Sequence, residues 1–195
     1  MADIHAIQTT CDAVVRLLQE SYRADLIEPQ LNLQFEVYST EDFKNHMASG
    51  VSLFLYRVYV NQNQRTPVVR ASDGKTRRPS LPLDLHFFLT VWGTKASLQH
   101  AILGWAMRVL EDGSVVPASL LNGVRKNVFR DDETVEVVAG QLTNEELMRI
   151  WDDLPTEYRL SVPYIARIVR IDSAIEVSPP SIVRQRHLES GAVRT

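Results

Sequence analysis

The segment PSLPLDLHFFLTVW, residues 79–92, limits the folds open to this chain more than any other. Its alternation and its aromatic and β-branched content read as a strand from Leu81 to Trp92. Yet both faces of that strand are largely apolar, so each has to be covered. Helices would cover one side, and sheet packing or a neighbouring subunit the other. A second long run, VSLFLYRVYVNQ, has the same character, with Val51, Leu53, Leu55 and Arg57 on one face and Ser52, Phe54, Tyr56 and Val58 on the other. It too reads as a central strand covered on both sides. The chain must therefore be built around the interior of a sheet.

The remaining elements fit around that sheet. Ile4, Ile7, Cys11, Val14, Val15 and Leu18 recur at helical spacing, predicting an amphipathic helix over residues 3–20 with Asp3 as its N-cap. LNLQFEVYS alternates Leu33, Phe35 and Val37 against Asn32, Gln34 and Glu36, the period of a half-buried strand. Ser39 or Thr40 caps a short turn, EDFKNHMA, ending before Gly50. After Trp92 a helix carries Leu98, Ile102, Trp105 and Val109 along one side and stops at Gly113. PASLLNG forms one more turn, started by Pro117 and ended by Gly123, and TVEVVAG a short strand. Thr143 and Glu146 make a capping box for a helix that presents Leu147, Ile150, Trp151 and Leu154. The final strand, YRLSVPYIARIVRID, contains Pro163, so that end belongs at a sheet edge or bulge. Hairpin-compatible strands with intervening helices predict an α+β fold around a mostly antiparallel sheet flanked by helices.

A chain of 195 residues buries about 70% of its unfolded surface, so one core is sufficient. We expect a single domain over residues 1–172 and a tail over 173–195, where no period survives beyond Ser173. The opening MADIHAIQTT lacks the basic-then-apolar pattern of a secretory leader, and no apolar run approaches the ~18 residues of a membrane span. These features suggest a domain made in the cytoplasm, with no direct membrane insertion.

Chemistry has little raw material. Cys11 is the one cysteine, set within an apolar stripe, and reads as a buried structural thiol. The five histidines form no metal-ligand spacing, and no phosphate-binding loop or nucleophile elbow occurs. Asp84 and His86 share a strand face but have no nucleophile at a recognisable spacing, so they read as a satisfied polar pair at a rim or interface. No catalytic residue, cofactor or metal is assigned.

Charge says more. Residues 61–80 form a long hairpin connection carrying Arg65, Arg70, Lys75, Arg77 and Arg78 against Asp73, a balance of 5 − 1 = +4. Residues 131–157 hold nine acids, Asp152 and Asp153 among them, against Arg149, a balance of 1 − 9 = −8. Two readings stay open: unrelated solvated faces, or complementary surfaces on neighbouring copies. A nucleic-acid or ligand-binding module using the 61–80 loop is the alternative of a different class. Against it stand the absence of Phe, Tyr or Trp from that loop and the net charge of −3.

Two stretches narrow the choice. PLPLDLHFFLTVWG leads into SLQHAILGWAMRVLEDGSVVP, and LMRIWDDLPTEYRLSVPYIARIVRIDS follows later. Their Pro82, Leu83, Asp84, Leu85, Leu89, Thr90, Leu103 and Gly104, then Trp151, Leu154, Tyr158, Arg159, Leu160, Ser161, Val162 and Tyr164, resemble the cap, or tail-terminator, family of phage-tail-like contractile injection systems. The resemblance spans residues 4–172; HFFLTVW is bulkier than the family's pattern, and Pro163 interrupts its Ser-Val-x-Tyr. It implies a structural, non-enzymatic subunit of a homo-hexameric ring with inner-tube and sheath proteins as partners. That ring would cap the tube and anchor the last sheath layer of a particle assembled in the bacterial cytoplasm. On this reading Arg65, Arg70, Lys75, Arg77, Arg78, Asp152, Asp153 and, in the tail, Ile182, Val183, Arg184 and Arg186 are the candidate interface residues. The 61–80 loop and the tail are expected to order on docking, because neither has a core pattern.

Overall fold

The computed structural model describes residues 3–23, 27, 31–64, 69–70 and 76–177. In chain order these form α1 (Ala6–Ser21), β1 (Gln34–Tyr38), a 3₁₀ turn (Thr40–Asn45), β2 (Gly50–Val60), a second 3₁₀ turn (Gln62–Gln64), β3 (Val69–Arg70) and β4 (Thr76–Arg77). There follow β5 (Leu81–Trp92), α2 (Ala96–Asp112), β6 (Val115–Pro117), α3 (Ala118–Leu121), β7 (Thr134–Ala139), α4 (Asn144–Asp152) and β8 (Ser161–Ile171). Six strands make one sheet in the order β1-β2-β5-β8-β7-β6, and β3 with β4 makes a separate two-stranded ribbon. Pairing is antiparallel except between β1 and β2, which run parallel.

β5 is interior, between β2 and β8, and its alternation feeds two cores. Leu83, Leu85, Phe87, Leu89 and Val91 join the larger core, with Val14 and Leu18 of α1 and Ile102, Ala106 and Leu110 of α2. Phe88 and Trp92 join a smaller one with Tyr38, Phe43, Met47, Trp151 and Leu154. Helical elements thus cover both faces, where the sequence left the second face to sheet packing or a neighbour. The smaller core is largely aromatic: Phe88 stacks on Trp151 at 5.6 Å, and Phe43 meets Trp151 edge-on at the same separation. Inside the sheet Trp92 Nε1 donates to Ser52 Oγ at 2.8 Å and Thr90 pairs with Ser161 at 3.1 Å, whereas the buried Trp151 Nε1 has no hydrogen-bond partner among the described residues.

Two bulges alter the expected facing. The β2–β5 register shifts between Leu55 and Arg57, inserting one extra residue in β2. A one-residue insertion flips every later side chain to the opposite face. Arg57 therefore lies opposite His86, and Val58 opposite Leu85 on the other face, reversing the assignment made from strict alternation. The distal half of β2 is also uncovered: Arg57 to Val60 are exposed, although the first four residues are buried. On the other side of β5, the register with β8 shifts between Leu83 and Leu85. There Ile168 adopts a left-handed φ of 61°.

Other boundaries moved for local reasons. Asp3 is not the N-cap of α1; its Oδ1 accepts from the His5 amide at 2.7 Å, His5 holds the cap position, and Ile4 is 78% exposed. The α2 stripe is Leu98, Ile102, Ala106 and Leu110, while Trp105 turns aside to meet Tyr22 and Phe35 edge-on. β8 is internal, but Pro163 lies where β7 has run out, and its carbonyl accepts from the Gly140 amide at 2.8 Å. The missing donor therefore faces a local edge. The Thr143–Glu146 capping box forms as read, and of the two cap candidates before the 3₁₀ turn it is Ser39 that caps, its amide and hydroxyl both donating to Asp42 Oδ2 at 2.7 Å.

Candidate assembly surfaces

Asp84 and His86 project from the same face of β5, and each finds partners other than the other. Asp84 Oδ2 accepts from Asn61 Nδ2 at 2.9 Å and Oδ1 from the Ile168 amide at 3.1 Å. The carboxylate holds the β8 bulge and the end of β2 together. His86 lies edge-on to Tyr59 at 5.1 Å, and burial lowers its pKa against the opposing pull of Asp84. Cys11 is buried and its thiol is pushed up to about 12, by burial first and by Asp12 second, so it is no nucleophile near neutral pH. Among the described residues no cluster of three or more His, Cys, Asp or Glu could hold a metal, and no helix is long and apolar enough to cross a membrane. Asp84→Ala is expected to lower unfolding free energy by about 1–3 kcal/mol, because it orphans the Ile168 amide. Urea denaturation measures this, and an unchanged midpoint would remove Asp84 from the bulge.

The surfaces that invite contact lie at the sheet's margins. β1 pairs with β2 only from Gly50 to Phe54, so the edge of β2 beyond Phe54 has no strand beside it in the described sheet. That stretch exposes Val58 by 41%, Tyr59 by 48% and Val60 by 38%, with Leu81 and Ile175 exposed as well. Open edges and exposed apolar side chains together are what adding another chain requires. The β2–β5 connection extends from this end through the β3–β4 ribbon, in keeping with a hairpin arm. Arg77 bridges antiparallel to Glu176, and the Arg78 amide donates to the Ile175 carbonyl at 3.2 Å. The start of the C-terminal segment is thereby laid along the base of the arm.

Of the candidate interface residues, Arg77 and Arg78 stand at that base, half-buried and exposed respectively. Arg70 is placed by its backbone in β3. Arg65, Lys75, Ile182, Val183, Arg184 and Arg186 lie outside the described residues. Asp152 and Asp153 are exposed at the C-terminal end of α4, whose Trp151 packs on Phe88. Phe88 is ten residues along the chain from Arg78, roughly 30 Å of extended strand, so Arg78 is not a neighbour of Asp152 and Asp153 within one subunit.

The acidic stretch is also less free than its count of −8 suggests. Arg130 meets Glu133 at 2.9 Å, Arg149 meets Glu145 at 2.6 Å and Arg167 approaches Glu136 at 4.0 Å. Glu146 is held in the capping box, and the Thr143 amide lowers its pKa. Sequence reasoning counted Arg149 and missed Arg130 and Arg167, which lie outside the window. It also missed Asn122. That side chain accepts from the Val128 and Phe129 amides and donates to the Phe129 carbonyl, folding a loop that buries both.

Comparison with known proteins completes the picture. No curated protein sequence matches. Among solved structures, the sheath/tube terminator of an extracellular contractile injection system (PVC, extended state) superposes with a TM-score of 0.60 at 13% identity, over 96% of this chain and 65% of that one. The tube-terminating cap of the anti-feeding prophage superposes with a TM-score of 0.54 at 14% identity, over 93% of this chain and 59% of that one. This chain thus has the fold of those terminators and spans about three-fifths of their length. A family model described as the Pvc16 N-terminal domain matches residues 9–185. With nearly its whole length inside that match, the chain belongs to the Pvc16 N-terminal domain family.

Proposed function

We propose that this chain is a structural assembly protein that caps the distal end of the inner tube and sheath of a contractile injection system. The family match over residues 9–185 carries the reading, supported by a fold shared with two proteins described as terminators. A tube ends in a rim able to accept another ring. A terminator has to imitate the incoming ring on one face and offer nothing to the next ring on the other. The open edge of β2, with exposed Val58, Tyr59 and Val60, is suited to the imitating face. Copies of the chain form a homo-hexameric ring, in which the basic arm of one subunit meets Asp152 and Asp153 of the next. The domain of residues 1–172 carries the contacts with tube and sheath, and the 61–80 arm and the 173–195 tail order on docking. The work is done by shape and charge, without an enzymatic step or a cofactor. Assembly takes place in the bacterial cytoplasm, as part of a phage-tail-like particle.

The test mixes the purified full-length chain with polymerising tube protein and measures tube lengths and ends by electron microscopy. Rings at one end and a narrowed length distribution are expected. Undecorated tubes with an unchanged length distribution would overturn the reading. Val60→Asp, at a position that is already exposed, is expected to abolish end decoration without unfolding the chain, and full decoration by this variant would clear the β2 edge of the role. Binding of duplex DNA that falls steeply with added salt would favour a nucleic-acid module instead.

A further inference from the structure

β1 is the outermost described strand of its sheet, and beyond its end β2 runs on bare from Leu55 to Val60, a stretch about as long as β1 itself. Both edges have backbone groups to offer. The Gln34 amide donates to the Ser49 carbonyl at 3.1 Å, so Gln34, Glu36 and Tyr38 bond toward β2 while Phe35 and Val37 direct their amides and carbonyls outward. The Asn61 amide donates to the Pro82 carbonyl at 2.9 Å, so Arg57 and Tyr59 bond toward β5 while Val58 and Val60 direct theirs to the open side. Side chains sort alike on the two strands. Phe35 and Val37 stand on the α1 face, as do Val58 and Val60 opposite Leu85 and Leu83. Glu36 stands on the other face beside Ser52, as do Arg57 and Tyr59 opposite His86 and Asp84. Glu36 and Arg57 have no ion pair among the described residues. Arg57 is nonetheless held in place: its Nη1 donates to Tyr59 Oη at 2.8 Å, and its guanidinium lies 5.4 Å from the centre of that ring. Glu146 feels its charge but is committed to Thr143.

We propose that two copies pair through these edges about a two-fold axis normal to the sheet, the β1 of each running antiparallel along Leu55–Val60 of the other. Such a rotation keeps the α1 faces of both copies on one side, and it brings each bare stretch of β2 against the strand that fits it. Both open edges are consumed at once. The outward-directed groups make Val37 opposite Val58, and Phe35 opposite Val60, the bonded pairs. Sliding β1 toward Leu55 would drive Tyr38 of one copy into Tyr38 of the other, end to end in one row. Sliding it the other way would leave Val58 bare. In the remaining register Glu36 stands opposite Tyr59 with Arg57 on the diagonal, roughly 7–8 Å away and within reach of a long side chain. The two-fold makes this contact twice. A second copy is thus the occupant that matches the edge in length, in facing and in charge. The pair is the free form of the chain. Where the β2 edge meets a tube the pair has to part first, and that consequence alone rests on the capping reading.

The experiment needs no tube. Val37→Cys and Val58→Cys, both at exposed positions, are made separately in the full chain and mixed under mild oxidation; the native Cys11 is buried. Within one subunit Val37 stands beside Leu53, five residues or roughly 16 Å from Val58, so a disulfide between the two positions joins two copies. A linked dimer in the mixture, and in neither variant alone, is the expected result. A chain carrying both substitutions should close at the dimer on a non-reducing gel. Absence of a linked product, linkage in a single variant, or a ladder of oligomers from the double variant would each overturn the proposal. A second arm reverses the charges. Arg57→Glu in the Val58→Cys chain is expected to cut the linked yield at least about tenfold, and Glu36→Arg in the Val37→Cys chain to restore most of it. A yield indifferent to both reversals would also overturn the proposal. Tube decoration is measured separately, so this pairing and the capping reading fail independently.

Discussion

Gly50→Ala is expected to cost about 3 kcal/mol or more, the strain and overpacking of one misplaced methyl group acting together. Gly50 has a φ of +154°, a conformation that residues with a side chain rarely adopt. A Cβ placed there would lie 2.0 Å from the Gln34 carbonyl oxygen and 2.5 Å from Met47 Sδ. Methionine could rotate away, but the carbonyl belongs to β1, and Gln34 is the residue that pairs with Gly50. Relief therefore requires the first β1–β2 pair to separate. Chemical denaturation should show a lower midpoint, and hydrogen exchange should show lost protection in β1 before other strands. A variant with wild-type stability and intact β1 protection would mean that the close approach at Gly50 is not required.

Trp92→Ala is expected to lower stability by about 3–5 kcal/mol. The indole is 2% exposed at the end of β5, with Tyr38 at 5.9 Å, Phe43 at 6.1 Å and His46 stacked at 4.1 Å. Removing it opens a cavity and leaves the buried Ser52 hydroxyl without its donor. The smaller core has few members, so little is available to collapse into the space. Trp92→Phe should recover most of the packing and leave the serine penalty. The difference between the two variants in one urea titration separates the terms, and equal losses would show that packing contributes little there.

The sequence made some features plain and hid others for definable reasons. The bounds of β5, Leu81 to Trp92, follow from a period-two pattern closed by Pro79 and Gly93. The cap of α4 was readable because Thr143 and Glu146 carry the reciprocal bonds in their own side chains, with the Glu146 amide 3.2 Å from Thr143 Oγ1. The bulges at Tyr56 and Ile168 were not readable, since alternation assumes that paired strands advance in step. That is why Arg57 and Val58 were assigned to the wrong faces. The parallel course of β1 was hidden as well, because alternation records which residues point inward and not the direction of the partner. Asp84 was read as one of a satisfied polar pair, without a named partner. Its partners, Asn61 and Ile168, lie 23 and 84 residues away, a relation no local spacing reveals. Val37 fits the alternation of a core residue, yet is 38% exposed beside α1, because alternation gives the face of a side chain and not how far its cover extends.

The position of β8 has a consequence during synthesis. β5 is flanked in the described sheet by β2, which precedes it, and by β8, which is the last strand of that sheet in chain order. About 70 residues separate Trp92 from Ser161, on the order of 4–14 s of translation. For that interval the most apolar strand of the molecule has one long border without its final neighbour. A nascent chain halted before Ser161 keeps that border bare, and is the species most prone to join other chains rather than complete itself.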